Sequence, residues 1–81
     1  MRRGKFEIIG EILSLTTEPS TKTSVVYRAN LNFNIVNRYL DLLLRSGLVG
    51  VTEASSKYEV TEKGLEFLNA YRNLKEKADG L

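Results

Sequence analysis

The stretch KTSVVYRANLNFNIVNRYLDLLLRSG, residues 22–47, carries two helical patterns separated by a short polar turn. Ser20 or Thr21 is suited to cap the first helix and Asn32 the second, because their side-chain oxygens accept hydrogen bonds from the free amides of a first turn. Asparagine tolerates left-handed backbone, so Asn30 is predicted to end the first helix. The stretch therefore predicts a short helix, a tight turn and a longer helix over about residues 32–46.

The segment before this pair predicts another helix. In residues 4–15, apolar side chains from Phe6 to Leu15 recur at three- and four-residue intervals and form one broad stripe to be buried. Glu7 and Glu11 lie off that stripe and are expected to face water.

The segment after the pair predicts a hairpin and a last helix. Gly47 should stop the longer helix, and apolar residues alternate with polar ones in 49–51 and again in 58–60. The tip between these strands, about residues 53–57, would form a wing, and Thr61 is suited to cap the last helix. The order of elements predicts a mainly α fold with a small β-hairpin, namely a winged helix-turn-helix with a C-terminal helix.

The last helix carries two apolar stripes. Leu65 and Leu68 are expected to pack on the core. A second stripe, the C-terminal seam, has heptad-like spacing and comprises Phe67, Tyr71, Leu74 and Ala78. The seam predicts a homodimer, unless these residues complete the intramolecular core. We expect residues 1–61 to form a DNA-binding domain and residues 62–81 to combine core packing with dimerisation.

Composition excludes several classes of protein. The 81 residues suffice for one small domain, and they include neither cysteine nor histidine. Disulfides, thiolate nucleophiles and the usual zinc ligands are therefore impossible, and the usual neutral-pH general base is missing. No apolar run approaches the roughly 20 residues that span a bilayer. We expect no enzyme activity, cofactor, metal or membrane partner, and a cytoplasmic or nucleoid-associated location.

Basic residues are unevenly distributed along the chain. The net charge is only +2, but residues 20–47 contain four cations against the single acid Asp41. Arg2, Arg3 and Lys5 add a basic N-terminus, either a flexible arm or ordinary solvated charge. A basic face with acidic flanks binds phosphates despite a small net charge. The partner expected from this pattern is double-stranded DNA.

Candidate DNA contacts fall in three groups. Asparagine and arginine bond adenine and guanine edges, so the outer face of the longer helix is predicted to enter the major groove through Asn34, Asn37 and Arg38. The second helix is predicted to contact phosphates through Lys22, Thr23 and Arg28. The wing is predicted to contact phosphates or the minor groove through Ser55, Ser56 and Lys57. The four tyrosines, Tyr27, Tyr39, Tyr58 and Tyr71, are expected to pack with a polar tip exposed.

A protein-interaction module is the alternative, because a fold alone does not fix function. Its binding face would include Phe33, Val36 and Asp41, the first two if exposed. An operator sequence cannot be read from the chain, and no effector site is evident in its sequence.

Four stretches resemble archaeal winged-helix DNA-binding proteins, and most closely the ten-a class of small chromosomal proteins and related transcription regulators. They are KFEIIGEIL (5–13), KTSVVYRANLNF (22–33), RYLDLLLRSGLV (38–49) and YEVTEKGLEFL (58–68). The resemblance implies a dimer joined by antiparallel C-terminal helices that presents two recognition helices to duplex DNA. The chromosomal members have a longer C-terminal helix, whereas here it should finish near Asp79, before Gly80 and Leu81. A site-specific regulator is therefore as plausible as a chromosomal architectural protein.

Overall fold

The computed structural model describes residues 3–79, which form four helices and one two-stranded antiparallel sheet. The elements in chain order are α1 (Lys5–Leu15), α2 (Lys22–Ala29), α3 (Phe33–Arg45), β1 (Val49–Val51), β2 (Tyr58–Val60) and α4 (Glu62–Asp79). The winged helix-turn-helix fold with a C-terminal helix is thus confirmed. No helix within the described residues is long and apolar enough to cross a membrane. Arg2, Gly80 and Leu81, for which expectations are given above, lie outside them.

The turn between α2 and α3 forms as predicted. The Thr21 side chain accepts a hydrogen bond from the amide of Ser24 at 3.1 Å, and the Asn32 side chain accepts one from Ile35 at 2.8 Å. Asn30 ends α2 in left-handed backbone, with φ of 56° and ψ of 46°. Local side-chain chemistry therefore sets both the end of α2 and the start of α3.

The end of α3 is a left-handed glycine stop. Gly47 has φ of +75°, and the amide of Leu48 donates to the carbonyl of Leu43 at 2.9 Å. This six-to-one bond is the signature of a Schellman motif, which satisfies carbonyls that the helix leaves free. Glycine takes this backbone at little steric cost, so the helix ends here and the chain turns into β1.

One core joins all four helices to β1. Its fully buried large side chains are Ile12, Leu13, Val25, Val36, Leu40, Leu43 and Leu68. α1 lies in the middle, since it packs against both α2 and α4. The first half of α4 is therefore part of the same core as the helix-turn-helix, which it braces through Leu68.

Two apolar residues lie differently from the sequence expectation. Phe6 is 59% exposed, although it was assigned to the buried stripe of α1, because it lies in the first turn, where only Phe67 stacks on it at a centroid distance of 6.4 Å. Leu65 is 41% exposed, so its predicted core packing is wrong. Phe67 of the C-terminal seam, which stacks on Phe6, is also partly buried against the core. A helical repeat identifies apolar positions but not which of them neighbouring elements cover.

Arg3, the first described residue, is anchored to the body of the domain. Arg3 forms a 2.7 Å ion pair with Glu11, and its other guanidinium nitrogen donates to the carbonyl of Asn30 at 3.1 Å. Neither expectation for Arg3, a flexible arm or solvated charge, is therefore correct. Glu11 is also not simply water-facing. The contact ties the residues before α1 to the turn that precedes α3.

The connector between α1 and α2 extends the sheet. Ser20 and Tyr58 exchange backbone hydrogen bonds at 2.9 and 2.8 Å, and Val60 donates to the carbonyl of Thr16 at 2.9 Å. The Thr16 hydroxyl is buried and donates to the carbonyl of Ile12 at 2.9 Å. β2 is thus held on both edges, by β1 on one side and by this connector on the other.

The junction between α3 and α4 is very close. Thr61 donates its amide to the carbonyl of Leu48 at 3.0 Å and its hydroxyl to the carbonyl of Gly47 at 2.6 Å, while its Oγ1 accepts from the amide of Gly64 at 3.0 Å. A Cβ at residue 64 would overlap the Leu48 carbonyl oxygen and lie 2.6 Å from Cγ2 of Val60. Only glycine fits there, because its missing side chain permits this close packing.

Substituting Gly64→Ala should destabilise the protein. Alanine would favour the helix by about 1 kcal/mol, but the Cβ must push α4 away from a backbone carbonyl, and overpacking of this kind costs about 1–3 kcal/mol or more. Because the clash is with backbone, we place the cost in the upper part of that range and expect a net loss of about 1–2 kcal/mol. It would be seen as a melting temperature lower by roughly 4–15 °C in thermal unfolding followed by circular dichroism.

Gly50→Ala is the matched control. A Cβ at residue 50 meets only Cγ2 of Thr61, at an ordinary 3.8 Å. Its melting temperature should stay within a few degrees of the parent or rise. Equal melting temperatures for Gly64→Ala and the parent would show that α4 does not need this close approach.

Candidate functional site

The outward face of α3 is polar and accessible. Val36, Leu40 and Leu43 hold the helix against the core, so the opposite face turns to solvent. The three residues predicted to contact bases, Asn34, Asn37 and Arg38, are all exposed. The structure therefore brings these side chains onto one accessible helix surface, in the N-terminal half and middle of α3.

Charges on this face are partly compensated. Asp41 and Arg45 form an exposed i,i+4 ion pair at 3.2 Å, so the carboxylate that opposes phosphate binding is balanced within α3. Arg38 forms no ion pair with the residues between 3 and 79. It is thus the cation of this helix that remains available to a ligand.

The predicted contacts on α2 divide between its two ends. Lys22 and Thr23 open the helix, and Arg28 lies in its last turn. Thr23 and Arg28 are exposed, while Lys22 is partly buried. Arg28 also complements the negative end of the helix dipole, a structural role for the same side chain. Tyr27 is 79% exposed, so its expected packing role is wrong.

The wing is organised by Thr52, a residue that the sequence reasoning missed. Its amide donates to the carbonyl of Lys57 at 2.8 Å, its carbonyl accepts from the amide of Ser56 at 2.9 Å, and its hydroxyl pairs with Ser55 at 2.8 Å. Ser56 has a positive φ of 53°. Ser55 and Ser56 are exposed and Lys57 is partly buried, in a defined turn. A threonine three residues before a serine was the available signal, since such hydroxyls often organise turns.

A second exposed surface is apolar. Phe6, Phe67, Ala70, Tyr71 and Leu74 line one depression of about 350 Å³, which we call the aromatic surface. It contains three of the four seam residues, while Ala78 is exposed further along α4. Phe6 was not expected there, because a pattern along one helix carries no information about a neighbour in space.

Comparison with known proteins identifies the family. The profile of the winged helix-turn-helix family matches residues 2–79. An uncharacterized protein of the archaeon Methanocaldococcus jannaschii, MJ0287, is 33% identical over 74 residues, which cover 90% of this chain and 74% of that protein.

Solved structures give the same result. Sso10a-2, a DNA-binding protein from Sulfolobus solfataricus, superposes with a TM-score of 0.83 at 30% identity, over 96% of this chain and 84% of that one. The transcriptional regulator BldR, also from Sulfolobus solfataricus, superposes with a TM-score of 0.70 at 25% identity, over 88% of this chain and 58% of that one. MepR, a transcription regulator of the Staphylococcus aureus multidrug efflux pump MepA, superposes with a TM-score of 0.76 at 15% identity, over 90% of this chain and 59% of that one. At this low identity the likeness supports the fold alone.

The expected resemblance to archaeal winged-helix proteins is therefore confirmed, because the matching profile spans nearly the whole chain and both archaeal likenesses at 30% identity or above cover most of each partner. This chain belongs to the winged helix-turn-helix family.

Proposed function

We propose that this protein binds double-stranded DNA, as a transcription regulator or a chromosomal architectural protein. The observation that carries the proposal is the outward face of α3, where Asn34, Asn37 and Arg38 are exposed on a helix whose opposite side is fixed in the core. The major groove admits a helix, and these side chains match adenine and guanine edges. A protein with this partner would act in the cytoplasm or at the nucleoid.

The remaining contacts would set affinity more than sequence choice. The α2 residues Lys22, Thr23 and Arg28 would meet the phosphate backbone, with free amides at the start of α2 adding to the attraction. The wing residues Ser55, Ser56 and Lys57 would lie on the backbone or in the minor groove. The names of Sso10a-2 and BldR, a DNA-binding protein and a transcriptional regulator, support this proposal.

Replacing Arg38 and Lys57 together by alanine should weaken DNA binding by about tenfold to a hundredfold. Each lost phosphate contact also removes about 0.9 from the slope of log affinity against log salt. Only Lys57 of this pair is proposed to lie on the backbone, so we expect that slope to become shallower by about 1. Fluorescence anisotropy of a labelled random-sequence duplex, titrated with protein at several salt concentrations, measures both quantities.

Lys75→Ala with Lys77→Ala is the control for that experiment. It removes the same charge from exposed positions on α4, away from α3 and the wing. Its affinity should fall much less than that of the first variant. If both double variants lose affinity equally, net charge rather than the proposed site governs binding.

The alternative, a protein-interaction module, loses one of its three residues. Val36 is fully buried, whereas Phe33 is 47% exposed and Asp41 is exposed but paired with Arg45. Failure of the parent protein to bind any duplex at low salt, together with capture of a defined protein by the α3 face, would favour this alternative.

We further propose that the DNA-binding form is a homodimer joined through α4, with residues 62–81 serving both core packing and dimerisation. Tyr71 packs partly against Gly10 of α1, where a Cβ would approach its ring to 2.8 Å. Leu74 has no such cover and is 69% exposed, and Phe6 beside it is 59% exposed. Exposed apolar surface of this kind favours association, and burying the aromatic surface in a second copy would remove it from water.

Leu74→Glu should therefore shift the protein towards the monomer. A carboxylate buried between two copies would lack a partner, so we expect the dimer dissociation constant to rise at least about a hundredfold. Sedimentation velocity over a range of concentrations measures the shift.

Asn69→Glu adds the same charge to an exposed position on the opposite side of α4 and should leave the distribution unchanged. A parent protein that sediments as a monomer at every concentration would refute the dimer.

A further inference from the structure

A groove of about 340 Å³ separates the start of α1 from one flank of α3. Its walls are Ile8, Ile35, Tyr39 and Leu42, and its rim carries Lys5 and Arg38. The groove is distinct from the aromatic surface, with which it shares no lining residue. A volume of this size lies at the lower end of the range that holds small organic ligands, about 300–1,000 Å³.

The groove exists because α3 has a second apolar flank. The core takes Val36, Leu40 and Leu43, whereas Ile35, Tyr39 and Leu42 are only partly buried. They follow one another at intervals of four and three residues, so they line up along the helix. Within residues 3–79 this flank is covered only in part, and Lys5 and Ile8 of α1 form the opposite side of the groove.

The charges around the groove are all of one sign. Lys5 and Arg38 are exposed cations, and no carboxylate is among the lining residues. The acids nearest to them in sequence are Glu7 and Asp41. Asp41 pairs with Arg45, and Glu7 lines a separate depression between α1 and α4. An occupant that matches the groove therefore has an apolar body and one negative end.

We propose that this groove is a binding site for a small amphipathic organic acid, a flat or aliphatic apolar body that carries a carboxylate. The apolar body would lie on Ile35, Tyr39 and Leu42, and the carboxylate would accept hydrogen bonds from Lys5 and Arg38. Charge-assisted bonds to two cations fix its orientation. A bare phosphate would leave the apolar walls in water, and a neutral hydrocarbon would leave the cations unused.

The site bears on regulation through Arg38, and this step rests on the proposed DNA-binding function. A carboxylate held by Arg38 would neutralise the α3 cation that is proposed to enter the major groove. Acid and DNA would then compete for the same guanidinium, and each would weaken the binding of the other by the same factor. The protein would thus release DNA when such an acid accumulates.

The test is an NMR titration of the ¹⁵N-labelled protein with 2-naphthoate, and with 2-naphthamide as its uncharged counterpart. We expect saturable shifts of the amides of Ile35, Tyr39 and Leu42, and affinity for the acid at least about tenfold above that for the amide. Lys5→Glu should weaken naphthoate binding by about tenfold or more, and Lys77→Glu, the same charge change on α4, should not.

Several results would overturn the site. They are equal affinity for acid and amide, shifts centred on Phe67 and Leu74 instead, or no saturation. Shifts of the groove amides on simple dilution without ligand would assign the groove to a second copy of the chain and also overturn the proposal.

A separate anisotropy measurement tests the regulatory step. Saturating 2-naphthoate should lower the affinity of the parent protein for duplex DNA. The affinity of Lys5→Glu for the same duplex should fall much less when naphthoate is added. If naphthoate binds the groove but DNA affinity is unchanged, the coupling through Arg38 is wrong while the site stands. If naphthoate binds and the protein binds no DNA at all, the proposed function fails while the site again stands.

Discussion

The close contact between the end of α3 and the start of α4 determines how the two exposed surfaces of the molecule are oriented relative to each other. Thr61 donates to two consecutive carbonyls just beyond α3, those of Gly47 and Leu48, and Lys63 donates to the carbonyl of Ser46 at 3.0 Å. Gly64 lets the helix backbone approach this far. The carbonyls that accept these bonds belong to residues 46–48, the segment whose amides close the end of α3. The same short segment therefore ends α3 and fixes the direction of α4. The orientation of the polar face is thereby tied to the helix that carries the aromatic surface.

Rigidity at this junction has a consequence for a dimer. If two copies associate through α4, the separation of their α3 helices follows from α4 geometry, with little freedom at the joint. Recognition helices of a dimer must match half-sites about one helical turn of DNA apart, or a multiple of it. The α3–α4 junction would then set that spacing, while Asn34, Asn37 and Arg38 would set which bases are read.

Much of the fold was predictable because its signals are local. The Thr21 and Asn32 caps, the left-handed Asn30 and the stop at Gly47 each depend on side chains within a few residues, and all formed as expected. The errors concerned which side chains neighbouring elements cover, as at Leu65 and Tyr27, and which separate segments meet. Phe6 meets Phe67, and Arg3 meets both Glu11 and Asn30. Periodicity shows which side of a helix is apolar, but coverage depends on what lies opposite, so both the aromatic surface and the groove became visible only in three dimensions.

The same junction limits how an acid in the groove would act. A ligand between α1 and α3 is not expected to rotate α3. Hydrogen bonds to the residues just after α3 and the buried side chains of α3 hold this helix in place. Regulation by a large helix movement would have to break that packing, at a cost of several kcal/mol. Masking the charge of Arg38 breaks none of these contacts. Local competition for one guanidinium is therefore the mechanism that this architecture favours over a global change of shape.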